Sequence, residues 1–342
     1  MTDQMPGVLD GAVPPQLNSH LFGHAEAEAF LARFYRSGRS HHAILIEGPE
    51  GIGKATLAFR FANYVLSHPD PSTAPEELPD PDPHAPVSRQ IASGASHNLL
   101  HLTRPVDDKT GKVKTAIIVD EVRRAGHFFS QTSGTGNWRI VIIDPADDLN
   151  RNAANAILKI LEEPPKRSLF LVLSHAPGKL LPTIRSRCLP LKLSPLGVED
   201  LTKALSALGL APDGGRMAEE VLHSAGGSVA QALKLMNYGG TEIILAFDEV
   251  LRASGPTARR AMHRLSDVLS AKDNDVIFGF FLDHLRDHLM ERARSAALSG
   301  DLTGADRASR LSSEIGERIG ISQAYNLDRK QTILSLLEDV AR

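Results

Sequence analysis

The run Gly48-Pro49-Glu50-Gly51-Ile52-Gly53-Lys54 has the G-x-x-x-x-G-K spacing of a loop that wraps a phosphate chain. Such glycines let backbone N–H groups approach phosphate oxygens closely, and the helix that follows offers the positive end of its dipole. Lys54 is then placed to reach the outer phosphates. The expected nucleotide contacts are Gly48, Gly51, Gly53, Lys54, Ala55 and Thr56, with ATP or ADP as ligand. Ala55 stands where the pattern calls for a Ser or Thr whose hydroxyl ligates Mg²⁺. Thr56 follows about 100° further round the helix, so its hydroxyl is expected to point elsewhere.

Two apolar runs end in acid, as a Mg²⁺-binding strand does. Ile140 to Asp144 leads into Pro145, so Asp144 is the candidate metal-facing carboxylate, but a proline occupies the slot of a catalytic glutamate and cannot act as a base. Ile117 to Glu121 matches the bare pattern, yet its continuation is amphipathic and helical, with Asp120 expected as the N-cap.

These groups need strands and helices to hold them. Ala43 to Glu47 reads as a strand entering the glycine loop, and the helical run from Leu57 to Leu66 leaves it. Ile140–Ile143 and Leu169–Leu173 read as further strands, separated by a helix over Arg151–Glu163 that Pro164 and Pro165 stop. Strands alternating with helices imply a parallel sheet covered on both faces. Between them, Pro69, Pro71, Pro75, Pro79, Pro81, Pro83 and Pro86 rule out a helix or central strand, and a mobile surface loop is expected. Beyond Ser194 the pattern is helical. Glycines at 209, 214–215, 226–227 and 239–240 break the stretch to 240 into short helices, and from 241 onward Ile243, Phe247, Val250 and Leu251 share a face, as do Ile333, Leu334, Leu337 and Val340. The expected architecture is α/β plus all-α: a P-loop sheet domain over 1–195, a small helical lid over 196–240 and a C-terminal helical domain over 241–342.

The chain has 342 residues, more than a single core usually organises. A net charge of −3 gives no footprint of a protein that grips DNA alone, and no apolar run is long enough for a membrane span. No secretory leader is read at the start, so a cytoplasmic location is expected. The single cysteine, Cys188, excludes an internal disulfide and a multi-cysteine zinc site, and a small buried side chain is its expected role. His84, His97 and His101 lack cysteine or acidic partners at set spacing, so no zinc is expected there. His284 and His288 lie one turn apart beside Asp283 and Asp287, on what reads as an exposed face. His41 and His42 are expected to pack or hydrogen-bond near the nucleotide pocket.

Asn152 to Pro165, ending Leu161-Glu162-Glu163-Pro164-Pro165, resembles the helix after the acidic strand in bacterial clamp-loader ATPases. Leu181-Pro182-Thr183-Ile184-Arg185 then leads into Ser186-Arg187-Cys188, similar to that family's Ser-Arg-Cys tripeptide. With the degenerate phosphate loop, these segments make the chain resemble the delta-prime family of DNA polymerase III subunits over residues 42 to 190. The resemblance implies an AAA+ fold with a helical lid and a C-terminal collar, in a five-membered ring with gamma/tau and delta subunits. It implies that the ring acts on the sliding clamp and primed DNA. It also implies that Arg187 is an arginine finger acting on a neighbour's ATP, that Ser174 stands at the sensor 1 position, and that Ala230 replaces the sensor 2 arginine. With the Mg²⁺ hydroxyl, the glutamate and that arginine all missing, ATP or ADP is expected to be held without hydrolysis, in a stator rather than a motor. An active motor subunit, or a P-loop kinase or ATPase working alone, are the other readings of the same residues.

Overall fold

The computed structural model describes residues 8–38, 41–107, 111, 113–130, 136–210, 221–272, 274–325 and 327–341. The chain separates into two units, 1–230 and 231–342.

In the first unit, β1 (Ala43–Glu47), β2 (Leu99–Leu102), β3 (Arg139–Ile143), β4 (Ser168–Ser174) and β5 (Leu189–Lys192) form a parallel sheet in the order β2-β3-β4-β1-β5. β1, β3 and β4 are central and covered on both faces, so they read as unbroken apolar runs. Successive residues of β1 go to opposite faces: Ile44 and Ile46 pack in one cluster, Ala43 and Leu45 in the other. The first cluster is covered by α1 (Ala25–Arg36) and α2 (Lys54–Ser67), the second by α4 (Val119–Ser130) and α5 (Arg151–Glu162). Between α2 and β2 lies α3 (Pro86–Ala92); α6 (Pro182–Arg185) precedes β5 and α7 (Val198–Ala207) follows it. Asn150 caps α5 by accepting the Ala153 N–H at 2.9 Å, and the helix ends before Pro164-Pro165 as expected.

The proline-rich stretch lies mostly at the surface, as expected, but it is anchored to the core as a strap. Its Ala74 and Leu78 are buried in the first cluster, and its carbonyls serve the core aromatics. The Tyr64 hydroxyl donates to Pro75 O (2.6 Å) and the Trp138 indole N–H to Pro69 O (3.1 Å), while Asp80 pairs with Arg60 (2.7 Å). Each proline lacks an N–H and so cannot build a ladder, and the Pro69 and Pro75 carbonyls accept from the side chains of Trp138 and Tyr64 instead. Asp120 is not an N-cap either. Ile117 is held by its N–H to Asp148 O (2.8 Å), α4 starts at Val119, and Asp120 pairs with Arg123 at 2.6 Å.

α8 (Val229–Asn237) crosses the boundary between the units. The second unit holds α9 (Gly240–Arg252), α10 (Gly255–Leu269), α11 (Asp275–Leu298), α12 (Leu302–Ala324) and α13 (Arg329–Val340). Phe247, Leu265, Phe281, Leu285, Leu336 and Leu337 are its buried centre. The α/β sheet unit followed by helices is the class expected. Gly214 and Gly215 lie outside the described residues. His284 and His288 are not on an open face: both meet the fully buried Phe247 edge-on, at 5.7 and 5.4 Å. Among the described residues no helix is long and apolar enough to cross a membrane.

Candidate functional site

The glycine loop leaves β1 at Glu47 and enters α2 at Lys54, the strand-to-helix setting that a phosphate loop requires. Gly51 and Gly53 hold φ of +74° and +106°, where a Cβ is strained. Space is also short on every side. A Cβ on Gly53 would lie 2.9 Å from Leu21, and one on Gly48 2.7 Å from the Leu193 carbonyl. One on Gly51 would meet Ala230 Cβ at 2.3 Å and Ser228 Oγ at 2.5 Å. The segment ending the first unit is thus seated on the loop, with Val229 N–H donating to Gly51 O (2.9 Å) and Ser228 Oγ to Glu50 O (2.8 Å). His24, also buried, lies 2.7 Å through Nε2 from Ile52 O.

Lys54 is buried and turned back on its own loop. Its ammonium donates to Gly48 O at 2.6 Å and Pro49 O at 2.5 Å. Burial pulls its pKa down to about 8, against the opposing pull of Asp144, Glu50 and Asp147. Ala55 packs against the first apolar cluster and Thr56 is buried in α2.

Beyond β3, Asp144 lies 3.5 Å from His101 Nε2. Asp148 faces Arg104 at 3.2 Å, with burial raising its pKa. Asp147 accepts from Ser174 Oγ (2.9 Å), His175 N–H (2.6 Å) and Ala176 N–H (3.2 Å). Ser174 is fully buried, so its hydroxyl is engaged with a carboxylate. Burial, reinforced by Lys54, lowers the pKa of His175. Among the described residues no three His, Cys, Asp or Glu side chains gather as a metal site, His84, His97 and His101 included.

Arg187 sits at the other end of the sheet. β5 opens at Leu189, which pairs with Ile44 near the start of β1, so Arg187, in the turn before β5, stands at the end of the sheet where the strands begin. Gly48 follows Ile44 by four residues, so at about 3.3 Å per residue roughly 13 Å of strand already separates the loop from the start of β5, and Arg187 lies on the far side of that start. Its guanidinium is held at the surface by Glu162 Oε1 (2.7 Å) and Thr183 O (2.9 Å). The flanking Ile184 and Cys188 are buried in the second cluster, and burial pushes the Cys188 thiol up to about 12, leaving it protonated and inert. His42 belongs to this end too, not to the nucleotide pocket: its Nε2 lies 2.9 Å from Leu161 O.

A family profile described as "DNA polymerase III, delta subunit" matches residues 23–197, about half of the chain. The chain belongs to this family. The matched stretch holds both the glycine loop and Arg187. Among relatives, the DNA polymerase III subunit delta' of Pseudomonas aeruginosa is 36% identical over 207 residues, 59% of this chain and 57% of that protein. The delta' subunit of Bacillus subtilis is 30% identical, covering 58% and 54%, and the gamma subunit of Buchnera aphidicola 28%, covering 66% and 58%. The chain thus spans little more than half the length of these relatives.

Of the residues named from sequence, the structure gathers Gly48, Gly51, Gly53, Lys54, Asp144 and Ser174 around one end of the sheet and puts Arg187 at the other. Asp147, His175, Ser228 and Glu162 were not anticipated. Asp147 carries only the pattern of a turn acid, and Ser228 and Glu162 acquire partners distant in sequence.

Proposed function

We propose that this family member is a delta-prime-type stator of a clamp loader, lending Arg187 to the ATP site of a neighbouring motor subunit while hydrolysing none itself. The observation that carries the reading is the opposition of the two ends of the sheet. At one end Lys54 is turned onto its own loop and Ser228–Ala230 are seated over Gly51. At the other an arginine at the surface has no phosphate of its own within reach. A fixed, always-charged fork beside a γ-phosphate stabilises transition-state charge, worth about 10³ to 10⁵ in rate where arginine fingers are used.

In this reading any ATP or ADP at Gly48–Thr56 is bound passively. Ala55 offers no Mg²⁺ ligand, Pro145 no base and Ala230 no sensor cation. The partners are gamma/tau and delta subunits in a cytoplasmic five-membered ring, the helices of 241–342 forming the collar, and the clamp and primed DNA are met through the assembled complex. The test is reconstitution with motor and delta subunits. Arg187→Ala should leave assembly intact and lower DNA-stimulated ATP turnover, whereas Lys54→Ala should change it little. Full turnover with Arg187→Ala, or loss with Lys54→Ala, refutes the stator.

A further inference from the structure

We infer that Glu162, at the C-terminal end of α5, is a positioning residue for Arg187, holding its guanidinium in a fixed plane for a neighbouring phosphate. The inference rests on the arginine-finger reading above and assigns the group that aims the finger.

The guanidinium is pinned at two points on different nitrogens: Nη2 donates to Glu162 Oε1 at 2.7 Å and Nη1 to Thr183 O at 2.9 Å. Two acceptors on two nitrogens fix both the reach and the tilt of a planar fork. Of the five N–H donors of an arginine, these bonds engage two, leaving the Nε hydrogen and one on each Nη for a phosphate. Glu162 therefore does not have to let go for the finger to act. The acceptors are themselves held. Thr183 precedes the buried Ile184 in α6, and Glu162 follows Leu161, which is buried in the same cluster as Ile184 and Cys188. The Leu161 carbonyl accepts a hydrogen bond from His42 Nε2 (2.9 Å), tying the end of α5 to the start of β1. Glu162 and Arg187 are 50% and 34% exposed, so the pair does little for folding; its consequence is orientation. Pre-set geometry of a charged group carries rate, because misplacement by about an ångström costs on the order of 10²-fold.

The test uses the full chain in the reconstituted complex, reading kcat and KM for ATP under DNA stimulation. Glu162→Ala should lower kcat on the order of tenfold with KM and assembly unchanged. Glu162→Gln, which keeps an oxygen acceptor at the same reach, should restore most of that loss. Arg187→Ala combined with Glu162→Ala should be no slower than Arg187→Ala alone, since Glu162 acts only through the arginine. Wild-type or faster turnover in Glu162→Ala overturns the inference, as does a double variant slower than Arg187→Ala. If Arg187→Ala is slow and Glu162→Ala is not, the finger stands and only its aiming group is wrong. If Arg187→Ala turns over at the wild-type rate, the finger falls and the inference with it.

Discussion

Replacing Gly51 with alanine tests whether the segment ending the first unit is seated on the glycine loop. Gly51 has φ of +74°, a region that costs an L-residue about 1–2 kcal/mol. Its new methyl would start 2.3 Å from Ala230 Cβ and 2.7 Å from Ala230 N, so the segment or the loop must move; overpacking of this kind costs about 1–3 kcal/mol. The reduced freedom of the unfolded chain returns about 0.4–1 kcal/mol. The net destabilisation is about 1–5 kcal/mol, centred near 3, or a fall of roughly 10 °C in Tm at the centre for a unit of this size. Trp138, the only tryptophan, lies in the first unit, so its fluorescence follows that transition alone. Adding Ala230→Gly to Gly51→Ala removes the shortest contact but not the backbone strain, and should recover part of the loss. A Tm for Gly51→Ala within about 1 °C of the parent would refute the seating.

Asp147→Ala strips the acceptor from Ser174 Oγ and from the His175 and Ala176 N–H groups, and should cost about 2–4 kcal/mol in urea unfolding, with Asp147→Asn in between. In the second unit, burial lowers the pKa of His284 and of His288, with His288 acting on the first and Arg292 on the second. Their folded pKa values lie below the unfolded value near 6.5, so the unfolded chain takes up more protons on acidification. The stability they contribute is whole above about pH 6.5 and is lost as pH falls through their folded values. The helical unit should therefore melt lower at pH 5.5 than at 7.5 by circular dichroism, and His284→Gln with His288→Gln should flatten that slope; a steeper slope in the double variant would contradict it.

What the sequence made legible is what its physics makes local. β1, β3 and β4 are buried on both faces and so announce themselves as apolar runs, and Pro164-Pro165 can only end α5. The edge strands β2 and β5 are interrupted by His101, Pro190 and Lys192, because an edge tolerates polar residues and a missing N–H. Within the strap the prolines leave only one turn of 3-10 helix, Pro71–Thr73, and no central strand, but their density says nothing about which donors the carbonyls will meet. The spacing of His284 and His288 shows a shared face; that Phe247 lies opposite is a fact of tertiary packing. The glycine loop and Arg187 were readable as motifs, whereas Glu162 and Asp147 gain their roles only from partners 25 or more residues away.

The parallel sheet makes the two ends of the first unit chemically independent. Every strand delivers its C-terminal end to the side of the glycine loop, and every connection between strands must return to the opposite side, where Arg187 stands just before β5. The faces are divided as well: α2, which the loop enters, packs in the first apolar cluster, while Leu161, Ile184 and Cys188 around Arg187 pack in the second. Sites so far apart with no shared partners respond to substitution nearly additively. A substitution at Ala55 or Pro145 should therefore leave the setting of Arg187 undisturbed. On the proposed stator reading, the finger can persist without hydrolysis at the glycine loop, because the contacts that hold Arg187, those to Glu162 and Thr183, lie away from that loop.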